Sequence, residues 1–405
     1  MKKTTAVWCA IMMGVVPVCM STAFAEQSAE PAVKEAPPVV VPPKAEKPLV
    51  QMAILLDTSG SMSGLIDQAR TELWSIVNEF ITAEQNGRRP EVQVALYEYG
   101  NNRLSPQSGW IRQIVPLTTD LDRISEELFA LTTNGGEEYC GWVIREATEK
   151  LAWSKSPDDL KVIFIAGNEP FTQGPVNYRD TCKTAVTKGI IVNTIHCGSE
   201  QEAIDGKWKD GAVLADGRHL NIDQNRRVVH VAAPQDKEIA ELGVRLNQTY
   251  LPYGQAGAVA QERQVAQDNN AARNSPSAAL QRAVTKSSFN YVNTSWDLVD
   301  AVRAQQVDMQ QVKAEDLPKD MQNLSPEQRT AYVNAKAKER AEIQARIQQL
   351  NAQRNEYVAR EAGKQHGGTL GTAIQQAIHE QAAKKNYTFK PAEVPSNTTE
   401  KTPEK

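Results

Sequence analysis

The chain has no excess of basic charge: 45 Lys and Arg stand against 49 Asp and Glu, and the formal net charge is -4. Nucleic-acid surfaces show a basic patch or stripe that neutralises phosphates, so this composition argues against DNA or RNA as a partner. Past the opening residues no apolar run reaches the roughly 20 residues that a membrane-spanning helix needs. Cysteine is scarce, at five in 405 residues, and two of the five, Cys9 and Cys19, stand in the first 25.

What those first residues do contain reads as a secretory signal. Lys2 and Lys3 give a charged start, 6–20 is apolar and interrupted only by Pro17, and Ala23-Phe24-Ala25 supplies the small-x-small pattern of a cleavage site. Residues 1–25 are expected to leave on export, and the mature chain then becomes two charges more acidic. The expected location is periplasmic or secreted, with no transmembrane segment after cleavage. Val16-Pro17-Val18 before Cys19 is a poor lipoprotein signal. Cys140, Cys182 and Cys197 remain, and an oxidising compartment favours pairing while an odd count leaves a thiol. Cys182 and Cys197 flank one helix-to-strand unit, which predicts a bridge between them and a free Cys140.

Residues 26–48 form a linker, with Pro31, Pro37, Pro38, Pro42, Pro43 and Pro48 among Ala, Val, Lys and Glu. Proline removes backbone donors and holds extended conformations, so the segment is a semi-stiff spacer. The folded part opens on the apolar run 49–56, the mark of a strand buried on both faces. Leu65, Ile66, Ala69, Leu73, Ile76, Val77 and Phe80 then recur at helical spacing. Further strands are predicted at 92–99, 110–115 (an edge, before Pro116), 160–166 and 190–195. Helices are predicted at 121–131, 142–151 and 178–188. Strands alternating with helices indicate an α/β fold with a doubly wound, mostly parallel sheet over 49–230.

After 231 aromatic and β-branched residues thin out. A helical extension is expected over 231–315, with Ile239, Leu242 and Leu246 on one face and a turn at 251–254; residues 255–285 are either helical or loosely ordered. A long-helix region follows over 316–390. It starts at Ser325-Pro326-Glu327-Gln328, where Ser is an N-cap, Pro sits in the first turn and Gln can complete a capping box. Ile343, Ile347, Leu350 and Tyr357 make a narrow seam, but Arg340 and Arg354 fall where a coiled coil wants apolar residues. Self-association through these helices is therefore only an option. The tail 391–405 is polar and expected to be disordered.

Asp57-Thr58-Ser59-Gly60-Ser61 stands at the end of the first strand. A carboxylate and two hydroxyls on a tight turn place hard oxygens on one side of a cation, as Mg²⁺ requires. Open α/β sheets also bind ligands beyond the carboxyl ends of their strands. The pentapeptide and its context resemble the von Willebrand factor A (VWA) family over about 49–228, where Asp-x-Ser-x-Ser opens a metal-ion-dependent adhesion site. The resemblance implies a protein partner, captured with Mg²⁺ (or Mn²⁺ or Ca²⁺). The other two metal loops depart from the family. Gly135-Gly136-Glu137 stands where relatives read Gly-Gly-Thr, and Ala166-Gly167-Asn168-Glu169-Pro170 stands where they read Thr-Asp-Gly-Glu-Pro. One acid is lost at Gly167 and one gained, so the expected metal ligands are Asp57, Ser59, Ser61 and Glu137. A structural envelope protein with a decayed metal site is the alternative. An enzyme is not expected: a nucleophilic Asp57 would want an acid where Ser59 stands, and Gly60-Ser61-Met62-Ser63-Gly64 puts Met62 at the position of a hydrolase serine.

Overall fold

Residues 49–57 read Leu-Val-Gln-Met-Ala-Ile-Leu-Leu-Asp, a run that leaves no side for water, and every residue from Val50 to Asp57 is buried. The structure, a computed structural model, describes residues 47–226, 228, 230–361 and 369–389. The expected signal at 1–25, nearly all of the linker and the tail at 391–405 lie outside the described residues.

The strands are β1 (Leu49–Asp57), β2 (Ala83–Gln85), β3 (Glu91–Tyr99), β4 (Ile111–Thr118), β5 (Leu160–Gly167), β6 (Ile191–Cys197), β7 (His219–Ile222) and β8 (Tyr387–Phe389). Six of them form one sheet in the order β4-β3-β1-β5-β6-β7, while β2 and β8 pair separately. All neighbours in the large sheet run parallel except β4, which is antiparallel to β3 and irregular in register. That edge position explains why β4 continues through Pro116, which offers no N–H to a further strand. β1 lies between β3 and β5, where the strand order reverses, so its carboxyl end opens on the crevice where such sheets bind ligands.

The helices over the sheet are α1 (Ser63–Asn78), α2 (Leu121–Ala130), α3 (Cys140–Lys150), α4 (Tyr178–Thr187), α5 (Glu200–Asp205) and α6 (Trp208–Leu214). They are followed by α7 (Asp236–Asn247), α8 (Gly254–Asn274), α9 (Pro276–Lys286), α10 (Leu298–Arg303), α11 (Lys319–Gln322), α12 (Pro326–Glu361) and α13 (Leu370–Ala383). Side chains alternate across a strand, and β1 divides accordingly. Met52, Ile54 and Leu56 join a core with α1, α2 and α13, while Ala53 and Leu55 join another with α3, α4 and α6. Among the described residues no helix is long and apolar enough to cross a membrane.

That division corrects the expected disulfide. Cys140, Cys182 and Cys197 are all buried free thiols. Cys182 packs in the core on one face of the sheet and Cys197 in the core on the other, so the sheet itself stands between the two sulfurs.

One face is completed from far along the chain. Ile374, Ala377 and Ile378 of α13 enter the same core as Phe164, Ile195 and Ile222. Inside that contact Asn193 and Gln381 exchange both amide hydrogen bonds, at 3.0 and 2.5 Å. The start of α13 is held by α1: the Glu72 carboxylate accepts from the Thr369 hydroxyl at 2.7 Å and from the Gly371 amide, and Gln68 Oε1 accepts from the Leu370 amide at 2.8 Å.

The residues between are helical as α8 and α9, with the extended Ser275 separating the two, and they are pinned by buried charge. Arg282 on α9 is 1% exposed. It donates to Asp122 of α2 at 2.7 Å and to Asp268 of α8, and its guanidinium lies 4.6 Å from the Trp74 ring centroid. Lys286 reaches the same Asp268 at 2.8 Å, and Tyr291 donates to Asp122 at 2.6 Å. Arg340 does the equivalent for α12. It donates to Asp297 at 2.6 Å, to Asp300 at 2.9 Å and to the Thr249 carbonyl at 2.6 Å, and sits 4.0 Å over the Tyr250 ring. Arginine at the coiled-coil positions therefore marks internal ion pairs. The seam residues Ile343, Ile347 and Leu350 are buried against Ile239, Leu246 and Leu280 of the same chain, which leaves that seam closed to a second copy. The capping box at Ser325 and Gln328 forms as expected, with both bonds present.

Arg282→Ala leaves the buried Asp122 with only the Tyr291 hydroxyl and the partly buried Asp268 with only Lys286 and Asn247, and breaking such a network by removing one partner costs up to about 3–5 kcal/mol. The urea midpoint is expected to fall accordingly, whereas removing Arg346, whose pair with Glu238 is about half exposed on both sides, shifts it far less. Equal midpoints for the two variants would show that the buried network does not hold the helices to the sheet.

Candidate functional site

At the carboxyl end of β1, Asp57 is wholly buried. The chain turns immediately after it: the Met62 amide donates to the Ser59 carbonyl at 3.2 Å, and α1 begins at Ser63. The Ser59 amide donates to Asp57 Oδ1 at 2.7 Å. Asp57 Oδ2 is buried and has no hydrogen-bond partner. Ser59 is buried and Ser61, two residues on, is exposed. The loop before α3 is laced to this turn, with the Asn134 amide donating to the Thr58 carbonyl at 3.0 Å and the Asn102 amide to the Gly135 carbonyl at 2.8 Å.

That loop does present an acid, one residue later than expected. Glu137 is exposed and accepts from Gln173 Nε2 at 2.9 Å, on the outside of the rim. Glu138 is the buried neighbour, near enough to Asp57 and the Ser59 side chain for both to act on its carboxyl. A Cβ on Gly100 would lie 2.8 Å from Glu138 Cγ and 3.0 Å from Asp57 Oδ1, so the two carboxylates bound one small space. Periodicity does hold a signal for this choice. Cys140 heads a helix with its side chain in the core, and the extended residues before it alternate, which sends Glu137 and Glu138 opposite ways.

The absence of an acid at Gly167 also has a steric cause. A Cβ there would lie 2.4 Å from the Tyr99 hydroxyl and 3.0 Å from Asp57 Oδ2. Tyr99, the fully buried last residue of β3, donates to the Ala166 carbonyl at 3.0 Å and fills the volume that a third-loop aspartate would take. Beyond it, Asn168 Oδ1 is buried without a partner, and His196 Nε2 lies 3.2 Å from the Asn168 carbonyl. His196 stacks edge-on against Trp208 and takes no part in a pair with Cys197. Cys140 is fully buried and its thiol is held well above the ordinary range, first by burial and then by the Asp57 charge.

A parallel sheet in this order, with a single antiparallel edge and Asp57-x-Ser59-x-Ser61 turning from its central strand into α1, decides the fold. The fold is VWA-like. No protein-family model and no curated protein matches the chain. Solved structures overlap it over less than half its length. The VWA domain of SpRpn10 is 17% identical with a TM-score of 0.33, over 44% of this chain and 98% of that one. BatB from Bacteroides thetaiotaomicron, a conserved hypothetical protein, is 16% identical with a TM-score of 0.33, over 43% and 90%. Proximal thread matrix protein 1 of the mussel byssus is 13% identical with a TM-score of 0.34, over 44% of this chain. The present chain spans only 43% of that protein.

The donor set at this rim is of a kind that suits a hard cation. It offers a buried carboxylate oxygen without a partner, a second carboxylate and hydroxyls on the same turn, which are oxygen ligands of the kind Mg²⁺ takes. Among the described residues no group of three or more His, Cys, Asp or Glu is placed to hold a metal, so any ion held here would rely on the serines and water as well as on Asp57 and Glu138. Burial pushes Asp57 up to about 7, with the Glu169 charge adding to it, and Ser59 and the Asn168 backbone amide opposing. Burial pushes Glu138 up to about 8, reinforced by the charges of Asp57 and Glu169.

Both acids are raised above their unfolded values of about 4, so the folded state binds more protons than the unfolded one from about pH 4 to pH 8. Their contribution to stability is fully present below the unfolded values and is lost as pH rises through 7 and 8. In chelator, the melting temperature is therefore expected to fall between pH 5 and pH 8. The fall should be shallower for Asp57→Asn and Glu138→Gln, and unchanged for Glu137→Gln. Parallel curves for all four proteins would mean that these carboxyls do not share a desolvated site.

Proposed function

We propose that this protein is an exported binding module whose carboxyl-end rim takes a divalent cation and docks a protein partner. The observation that carries it is Asp57, wholly buried with Oδ2 unpartnered, beside Ser59 and a second inward carboxylate, Glu138. A buried carboxylate oxygen with nothing to bond is costly unless something else supplies the missing charge, and a cation at this point does so. Asp57, Ser59, Ser61 and Glu138 would hold the ion. Bound there, it supplies positive charge and open coordination positions at the docking face. Asp57 and Glu138 orient it, the turn at 59–62 sets the hydroxyls, and the Tyr99 ring keeps water from the side of β5. A binding role is also favoured by the Cys140 thiol, which burial holds well above its ordinary range and away from solvent.

One feature favours a second reading, a structural envelope protein with a vestigial site: Tyr99 fills the place of the third-loop acid. Melting curves separate the two. A ligand at a hundredfold excess over its Kd stabilises the folded state by about 2.7 kcal/mol. Mg²⁺ or Mn²⁺ is expected to raise the wild-type melting temperature and to have no effect on Asp57→Ala. Glu138→Gln should need more metal, and Glu137→Ala should behave as wild type. A wild type that melts identically in millimolar metal and in chelator would favour the structural reading.

A further inference from the structure

The rim around Asp57 keeps an unusual charge. Asp57, Glu138 and Glu169 act on one another electrostatically, and Glu137 accepts a hydrogen bond from Gln173 beside them. Among the described residues none of the four is in an ion pair with a Lys or Arg. A divalent cation balances two of these charges, those of Asp57 and Glu138. Glu137 and Glu169 outnumber the Arg145 guanidinium on this face, so it complements a basic partner better than an acidic one.

Next to these acids lies a row of half-buried aromatic rings. Trp110 meets Tyr139 edge to face at 5.3 Å between centroids, Tyr139 lies nearly parallel to Trp142 at 6.2 Å, and the Arg145 guanidinium covers Trp142 at 5.2 Å. The row is seated by the backbone. Gly109 and Gly174 have φ of 67° and 89°, and a Cβ on them would come within 2.6 Å of the Trp142 ring and 2.5 Å of the Tyr139 ring. Trp110 itself has φ 53°, a left-handed conformation that a bulky L-residue rarely adopts and that clusters at ligand-contacting positions. Its carbonyl accepts from the Gly100 amide at 3.0 Å, and Gly100 is the residue that abuts Asp57 and Glu138. Gln173, which holds Glu137, is next in sequence to the glycine under Tyr139. The ladder and the exposed Glu137 therefore share one rim, with Asp57 and Glu138 buried behind it. Trp, Tyr and Arg are the residues in which interface binding energy concentrates, and ring faces attract Lys and Arg directly.

We infer that Trp110, Tyr139 and Trp142 form the anchoring surface for a basic polypeptide segment, whose Lys or Arg side chain packs on the ladder and meets the carboxylates of Glu137 and Glu169. The inference rests on the reading of this rim as the recognition face, and it names the chemistry of the partner.

The test uses the mature full chain and a phage-displayed random heptapeptide library, selected in Mg²⁺ and in chelator. Peptides captured by the wild type are expected to be enriched in Lys and Arg. The tightest of them, synthesised, should bind about tenfold more weakly to Tyr139→Ala and to the Glu137→Gln/Glu169→Gln pair, the loss of about 1.4 kcal/mol typical of an anchoring contact. The double carboxamide variant removes no packing, so it keeps the test valid if an aromatic variant fails to fold. Pools rich in Asp and Glu, pools without enrichment, binding of a chitin oligosaccharide instead of peptide, or equal affinity for the double variant would each overturn the inference. Melting curves run alongside distinguish the two readings. Basic selection that persists in Asp57→Ala while metal shifts no melting temperature removes the cation and keeps the ladder. A metal shift without basic selection does the reverse.

Discussion

Everything in this architecture follows from the need to cover both faces of β1, β5 and β6. Their side chains are apolar on either side, so a helical layer is required above and below. On the face holding Ala53, Leu55 and Ile163 the nearby helices α3, α4 and α6 suffice. On the face holding Met52, Phe164 and Ile195, α1 and α2 cover one half and α13 the other. The helices between 236 and 361 form the route by which the chain returns, and buried arginines fix that route. Arg282 ties α9 to α2 and to the Trp74 ring of α1, and Arg340 ties α12 to the loop at Thr249 and to the start of α10.

Much of this was legible in the sequence because burial on both faces leaves an unambiguous mark. The runs that became β1, β5 and β6 are continuous and apolar, and the spacing through α1 is plainly helical. The last helix was not legible as part of the sheet, because its partners are defined only in three dimensions: nothing in Ile374, Ala377 and Ile378 names Phe164 or Ile195. The Cys182–Cys197 expectation failed for a related reason. Closeness along the chain says how far apart two sulfurs can be, but not on which side of a sheet each one points. Arg340 and Arg354 were correctly read as unfit for a coiled coil; their acidic partners, Asp297 and Asp236, come from other segments.

At the rim, the first metal loop was readable from five residues because a strand followed by a helix fixes the turn. The second loop required parity, and a shift of one position moved the inward acid from Glu137 to Glu138. The third loop required a neighbour on another strand. Gly167 looks like a lost ligand in the sequence, whereas in the fold it is the residue small enough to lie against the Tyr99 hydroxyl. Substitution at one loop and bulk on β3 form a single steric arrangement, and a carboxylate restored at 167 would have no room.

The placement of the closing helix bears on how the chain is made. The Tyr387 hydroxyl meets the Leu49 carbonyl across 338 residues of sequence, and Gln381 meets Asn193 across 188. Contacts this remote close last and slow folding. A ribosome that has made β1 through β7 has therefore built a sheet with half of one side bare, unable to settle until α13 has emerged.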